Sequence, residues 1–257
     1  MKNMTKEVVT IDIVKLIEFY DQKDLQNKKP ASSISGIIGE DLIAGLFKHY
    51  LENNSNENNG EVIIFEDSIK AFGKNGKMLD RWILHHKKNE KKIAYQTEIK
   101  NWSVHSLGGK TFDNLDLKNP LKNIVKIAQE NFDKNCKEDE LGKIGFINDS
   151  VGKVLLKMKS DERIDDSYII KPLVCFWMPI CSNNNLKPFF TKDCSSDINI
   201  NPFYYHGNFD NVSFFSASIY LRELILMNPG VNNLSIEIYS TNIKQRLDIL
   251  QSLIKKY

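Results

Sequence analysis

Apolar positions along the chain follow a helical period near the N-terminus and a strand pattern further in. Ile13, Val14, Leu16, Ile17 and Tyr20 share one helix face, with Thr10 as the expected cap. A polar stretch over 21–30 ends that helix. A second helix is expected over 35–51. Ile37, Ile38, Leu42, Ile43, Ala44, Leu46 and Phe47 make it apolar almost all round, which predicts burial. After an asparagine-rich loop, strands are expected over 61–66, 78–86 and 92–102, the last two joined by the charged loop 87–91. Helical spacing returns over 117–132 and 144–158. The segment 168–177 carries Ile169, Ile170, Leu173, Val174 and Phe176 in a near-continuous apolar run, the mark of a strand covered on both faces. Residues 182–212 read as loops, 214–227 as a helix, 234–239 as a short strand and 243–254 as a terminal helix. No internal repeat is visible. The order α-α-β-β-β-α-α-β, then α-β-α, predicts an α/β or α+β fold with a mixed sheet.

Length and composition narrow this. The chain has 257 residues, 41% hydrophobic and 26% charged, which fits one large globular domain and excludes low-complexity disorder, collagen and coiled coil as the main state. No apolar run reaches the roughly 18–20 residues of a membrane span, and the first residues do not read as a signal peptide. A cytoplasmic protein without a membrane partner is expected. Lys+Arg number 35 against 33 Asp+Glu, a net charge of +2, so a polyanion partner must be recognised by local patches. Cys136, Cys175, Cys181 and Cys194 form no CxxC pair; they read as reduced core thiols, not zinc ligands.

The chemistry is concentrated in the strand over 92–102. Alternation puts Gln96, Glu98, Lys100 and Trp102 on one face, and Ile93, Tyr95, Thr97 and Ile99 on the other. The apolar face is core; the polar face needs another reason. If the loop 87–91 centres the hairpin on Asn89, Asp80 lies opposite Glu98, Trp82 opposite Gln96 and Leu84 opposite Ala94, and a longer loop would shift this register. Directly opposed carboxylates have Cβ atoms roughly 4.5–5.5 Å apart and repel. A divalent cation between them removes the penalty, and hard oxygen ligands on adjacent strands suit Mg²⁺ or Mn²⁺. Lys100, one pleat along, is placed to orient a water or offset phosphoryl charge. Glu40 and Asp41 interrupt the apolar second helix, where an unsatisfied carboxylate costs several kcal/mol. Glu40 shares a face with Ile37, Ile43, Ala44 and Phe47 and is the better candidate to point inward; Asp41 competes with it.

An acidic residue on a helix, then Asp80, then Glu98-Ile99-Lys100 after a hairpin, then a helix, resembles the PD-(D/E)xK nuclease superfamily, which includes restriction endonucleases and phage-defence nucleases. The resemblance covers about residues 35–177, with Leu79 in place of the nominal proline. It implies a single domain: a restriction-endonuclease-like core with a mixed central β-sheet flanked by helices, and a C-terminal α/β elaboration over 178–257 packed on it. It further implies a metal-dependent endonuclease that leaves a 5′-phosphate and a 3′-hydroxyl. Asp80, Glu98 and the Ile99 carbonyl would bind Mg²⁺ or Mn²⁺, Lys100 would position or deprotonate the attacking water, and Glu40 would support the site. DNA is the more expected substrate, ahead of RNA. The superfamily's habits allow a restriction or defence role, and a partner protein subunit or a homodimer. The rival reading is a non-catalytic module on the same fold that binds nucleic acid or protein.

Further contacts are expected around this core. Gln96 has no fixed family role and is a candidate contact to the phosphate or to a ligand water. Ser106 to Thr111 echoes the end of a phosphate-binding P-loop, but Val104 stands where the first glycine belongs, so a DNA phosphate contact through Lys110 is the better reading. Lys118, Lys122 and Lys126 form an i, i+4, i+8 stripe. A solvated helix face explains it; a phosphate-tracking stripe is the alternative, with Lys118 and Lys122 as contacts.

Overall fold

The computed structural model describes residues 5–21, 29–53, 60–65, 79–86, 91–100, 124–136, 146–156, 163–182, 186–194, 209–230 and 232–240. The elements in chain order are β1 (Thr5–Asp12), α1 (Ile13–Asp21), α2 (Lys29–Asn53), β2 (Glu61–Phe65), β3 (Arg81–His86), β4 (Lys92–Lys100), α3 (Val125–Cys136), α4 (Phe146–Val154), β5 (Tyr168–Phe176), β6 (Phe189–Asp193), β7 (Asn211–Ser216), α5 (Ala217–Met227) and β8 (Asn233–Ser240).

Six strands form one mixed sheet in the order β2-β3-β4-β5-β7-β6. β2, β3 and β4 are an antiparallel meander; β5 runs parallel to β4, and β7 parallel to β5. β6 closes the edge, antiparallel to β7. Strand alternation divides the core in two. Trp82, Leu84, Ala94, Val174, Phe176 and Phe214 turn to one face and pack with Phe132 and Cys136 of α3 and with Ile147, Val151 and Val154 of α4. Ile83, Tyr95, Ile99, Cys175 and Phe215 turn to the other, under α1, α2 and α5. The result is a mixed α/β fold with a six-stranded sheet flanked by helices on both sides. No helix among the described residues is long and apolar enough to cross a membrane.

Three local expectations are corrected. The residues before Asp12 form strand β1, not the start of a helix, and the cap of α1 is Asp12: its Oδ1 accepts the Lys15 N–H at 3.0 Å. The stretch expected as one helix over 214–227 is a strand followed directly by a helix. Phe214 and Phe215 fill opposite faces of the sheet, and α5 begins only after Ser216, whose hydroxyl donates to the Met178 carbonyl at 2.8 Å and accepts from the Ile219 N–H. Strand β6 lies within the segment expected to be loop. The proposed terminal helix over 243–254 lies outside the described residues.

The elements beyond β5 are integral to this architecture. β7 and β6 extend the sheet, and β8 pairs antiparallel with β1 along its whole length, from Thr5↔Ser240 to Asp12↔Asn233. This two-stranded ribbon lies on α2. Gly45 makes the close crossing feasible, because a Cβ there would sit 2.7 Å from the Glu237 carbonyl oxygen. Lys48 of α2, almost fully buried, donates to the Val62 carbonyl at 2.9 Å and pairs with Glu52 and Glu237, tying β2 and β8 to the helix.

Candidate functional site

The site forms at the carboxyl end of β4, beside the end of parallel β5, where open α/β sheets commonly bind ligands. The observed register pairs Arg81 with Thr97, Trp82 with Gln96 and Leu84 with Ala94, as the hairpin centred on Asn89 requires. One step further on, Asp80 falls opposite Glu98. Its backbone N–H donates to the Thr97 carbonyl at 3.1 Å, and its Oδ2 accepts the Ile99 N–H at 2.7 Å. Main chain and side chain therefore both fasten Asp80 to β4. In an extended strand the N–H and C=O of one residue point to the same side, so the Ile99 carbonyl faces the Asp80 side as well.

Glu98 is buried, with a relative exposure of 2%. Each of its carboxylate oxygens meets a lysine. Lys100 Nζ donates to Oε1 at 2.6 Å, and Lys153 Nζ, from the last turn of α4, donates to Oε2. Burial nonetheless holds the Glu98 carboxyl above the usual glutamate range, and repulsion by Asp80 adds to this. Burial would lower the Lys100 ammonium, but Glu98, with Asp80 and Asp149, outweighs that and holds it above its usual value. Glu40, half-buried on α2, is also raised, first by burial and then by Asp80, with Asp41 and Glu98 adding to it against Arg81. Four acidic groups, Glu40, Asp80, Glu98 and Asp149, thus share one field with Lys100 and Lys153.

The helix acid that turns fully inward is Asp41, at 1% exposure, and not Glu40 as expected, which is only half-buried; Asp41 is satisfied there by a cation on the sheet's other face. Arg81, one residue after Asp80 and therefore pointing the opposite way, is buried. Its Nη2 donates to Asp41 Oδ1 at 2.7 Å, and its Nη1 to the Asp80 carbonyl at 2.7 Å. Asp41 belongs to that pair, while Glu40 is the helix acid that feels Asp80 and Glu98.

Gln96, expected as a substrate contact, has a different place. Its side chain is fully buried, and Nε2 donates to the carbonyls of Val154 and Leu156, the latter at 3.0 Å, at the C-terminal end of α4. It donates to carbonyls at the end of α4, where the helix leaves its last carbonyls without intrahelical partners, and so holds α4 and its Lys153 against β4. Lys110, Lys118 and Lys122 lie outside the described residues. Lys126, the last member of their stripe, is exposed and pairs with Glu130 at 4.0 Å, the ordinary behaviour of a solvated helix face.

Lys153, Asp149 and the Asp41–Arg81 pair were not singled out from the sequence. The i, i+4 spacing of Asp149 and Lys153 on one helix was readable, but nothing local shows that this helix face meets a strand 55 residues earlier. No group of three His, Cys, Asp or Glu side chains among the described residues is drawn together closely enough to hold a metal ion. Comparison with protein-family models, with curated proteins and with solved structures gives no match.

The raised carboxyls set a pH dependence. A carboxyl raised in the fold contributes stability that is fully present below its ordinary value, near 4.5, and lost as pH rises through the raised value. In chelator, the wild-type protein should therefore lose stability relative to Glu40→Gln as pH rises from about 4.5 towards neutrality. Urea denaturation of both proteins over that range measures the gap. A gap that stays constant, or moves in favour of wild type, shows that Glu40 does not sit in this acidic field.

Proposed function

We propose that the protein is a metal-dependent nuclease that hydrolyses phosphodiester bonds, with DNA as the favoured substrate. The convergence of Asp80, Glu98 and Lys100 at one strand end, under the field of Glu40, carries this reading. The order α2, β2, β3, β4, α3, α4 and β5 supports a restriction-endonuclease-like core, since it puts the acidic helix, the hairpin and the lysine in the sequence that the PD-(D/E)xK resemblance implies, with one helix more than that pattern before β5.

The donor set suits a hard divalent cation. Carboxylate oxygens of Asp80 and Glu98 and the Ile99 carbonyl are the ligand types that Mg²⁺ and Mn²⁺ select, and the excess of acidic groups over lysines leaves negative charge for a cation to offset. Such an ion supplies Lewis acidity towards a phosphoryl oxygen and lowers the pKa of the attacking water. The chain's own residues do the rest. Lys100, anchored on Glu98, holds its ammonium where a water and a phosphoryl oxygen meet. Glu40 keeps negative charge behind Asp80. Arg81, through the Asp80 carbonyl, fixes the backbone from which Asp80 projects.

The test is cleavage of plasmid and single-stranded DNA with Mg²⁺ or Mn²⁺ and with chelator. Cleavage should require the cation and vanish in EDTA; cleavage that persists in chelator overturns the mechanism. The engagement of both Glu98 oxygens by lysines favours a second reading, a non-catalytic nucleic-acid-binding module on this fold. That reading predicts DNA binding that chelator does not change, with no cleavage under any cation.

A further inference from the structure

Lys153 stands out because no motif accounts for it. It comes from α4, on the far side of a long connection from β4, yet its ammonium closes on Glu98 Oε2, the oxygen that Lys100 leaves open. The contact is built: Gln96 clamps the end of α4 to β4 through the carbonyls of Val154 and Leu156, on either side of Leu155 and directly after Lys153. The lysine also has a second acidic neighbour. Asp149 lies one turn earlier on the same helix, at the i, i+4 spacing at which opposite charges meet, and it is exposed to solvent. Lys153 therefore has a buried partner on the strand and a solvated partner position on its own helix.

We propose that Lys153 is a displaceable counter-ion that occupies the cation's place on Glu98, so that a divalent metal ion enters only as the Lys153 ammonium leaves Glu98 for Asp149 and the solvent. The proposal rests on the metal-centre reading above and adds a positioning residue to it. With a lysine on each oxygen, the Glu98 carboxylate has positive charge beside both oxygens, and this charge opposes an incoming cation. Of the two lysines, Lys100 is rooted on the same strand as Glu98, two residues away, so the strand itself fixes its backbone beside the carboxylate. Lys153 is held by its own long side chain from a helix end, and it can swing without disturbing the sheet. Without a cation, Lys153 offsets the repulsion between Glu98 and Asp80 that the hairpin register imposes. With one, the same offset comes from the ion, and the ammonium is freed at the rim of the site.

The experiment is isothermal titration of the full chain with Mn²⁺ alone, without nucleic acid, for wild type, Lys153→Gln, Lys153→Met, Lys153→Arg and Glu98→Gln. Circular dichroism confirms that each variant is folded. Removing the competing ammonium should tighten Mn²⁺ binding about tenfold in both Lys153→Gln and Lys153→Met, equivalent to about 1.4 kcal/mol. Lys153→Arg, which keeps a cation in place, should stay within about threefold of wild type. Glu98→Gln should lose binding. A purely structural lysine would leave Mn²⁺ affinity unmoved or weaken it in both neutral variants, and either result overturns the proposal. If wild type and Lys153→Gln both fail to bind Mn²⁺, the metal-centre reading falls and the proposal with it. If wild type binds, Glu98→Gln does not, and the neutral Lys153 variants match wild type, only the proposal falls.

Discussion

Lys100→Ala should lower single-turnover cleavage by on the order of a hundredfold or more, with little change in DNA affinity. The reason is positional. Lys100 is the last residue of β4, and its Nζ lies 2.6 Å from Glu98 Oε1, so its charge is held beside the carboxylate pair and not at the periphery where phosphates are first met. Glu98, Asp80 and Asp149 hold the ammonium above its usual value, which keeps a positive charge beside the carboxylates. On the proposed nuclease reading its contribution is electrostatic: a donor fixed where negative charge would accumulate as the phosphoryl group is attacked. Such a group stabilises the transition state more than the bound substrate, and its removal appears in the chemical step. Single-turnover rates at saturating DNA, with affinity measured in parallel in Ca²⁺, separate the two effects. Wild-type cleavage by Lys100→Ala at saturation would refute the catalytic role and leave Glu98-Ile99-Lys100 as an ion pair of the sheet end.

The largest expected loss of stability comes from the opposite face of the same hairpin. Arg81 and Asp41 pair at 2.7 Å, with side-chain exposures of 9% and 1%. Removing one partner leaves the other charge buried without its counter-ion, which costs roughly 3–5 kcal/mol. Arg81→Ala and Asp41→Ala should each lose that much by urea denaturation. The double replacement Arg81→Met with Asp41→Leu buries no charge and should recover most of it, since well-packed apolar residues often substitute for a buried ion pair at little cost. Single variants within about 1 kcal/mol of wild type would show that solvent reaches the pair. Arg81 also holds the Asp80 carbonyl at 2.7 Å. The double variant, though stable, should therefore cleave more slowly than wild type, which distinguishes support of the site from support of the fold.

The site was legible where it depends on local geometry. A five-residue charged loop between two apolar strands sets the hairpin register, and register with strand alternation is enough to place Asp80 opposite Glu98 and Lys100 on the Glu98 face. The apolar run of β5 announced a central strand, and the nearly all-apolar middle of α2, broken by Glu40 and Asp41, announced a buried helix, because burial on most sides leaves no broad polar stripe. Alternation also put Gln96 on the Glu98 face, correctly. It could not show that α4 ends there, so the side chain that looked available to a ligand is committed to two helix-end carbonyls.

What the sequence by itself determined is the middle of the molecule: the β3-β4 hairpin with its register, the buried strand β5, and the placing of Asp80, Glu98 and Lys100 together at one end of that hairpin. These follow from strand period and turn length over neighbouring residues; that β5 lies parallel beside β4, 76 residues away in sequence, does not. Only the tertiary structure decided the rest. β1 exists because β8, more than two hundred residues later, pairs with it, and no local pattern in a short mixed segment can specify a partner so distant. β7 and the first half of α5 merge in one apolar run because both are buried on nearly every side, which erases the difference between the two periods there. Asp41 rather than Glu40 takes Arg81, and Lys153 reaches Glu98, because helices and sheet meet at angles and distances set by the packing of the whole core. The sequence names the charges; the packed fold decides which of them meet.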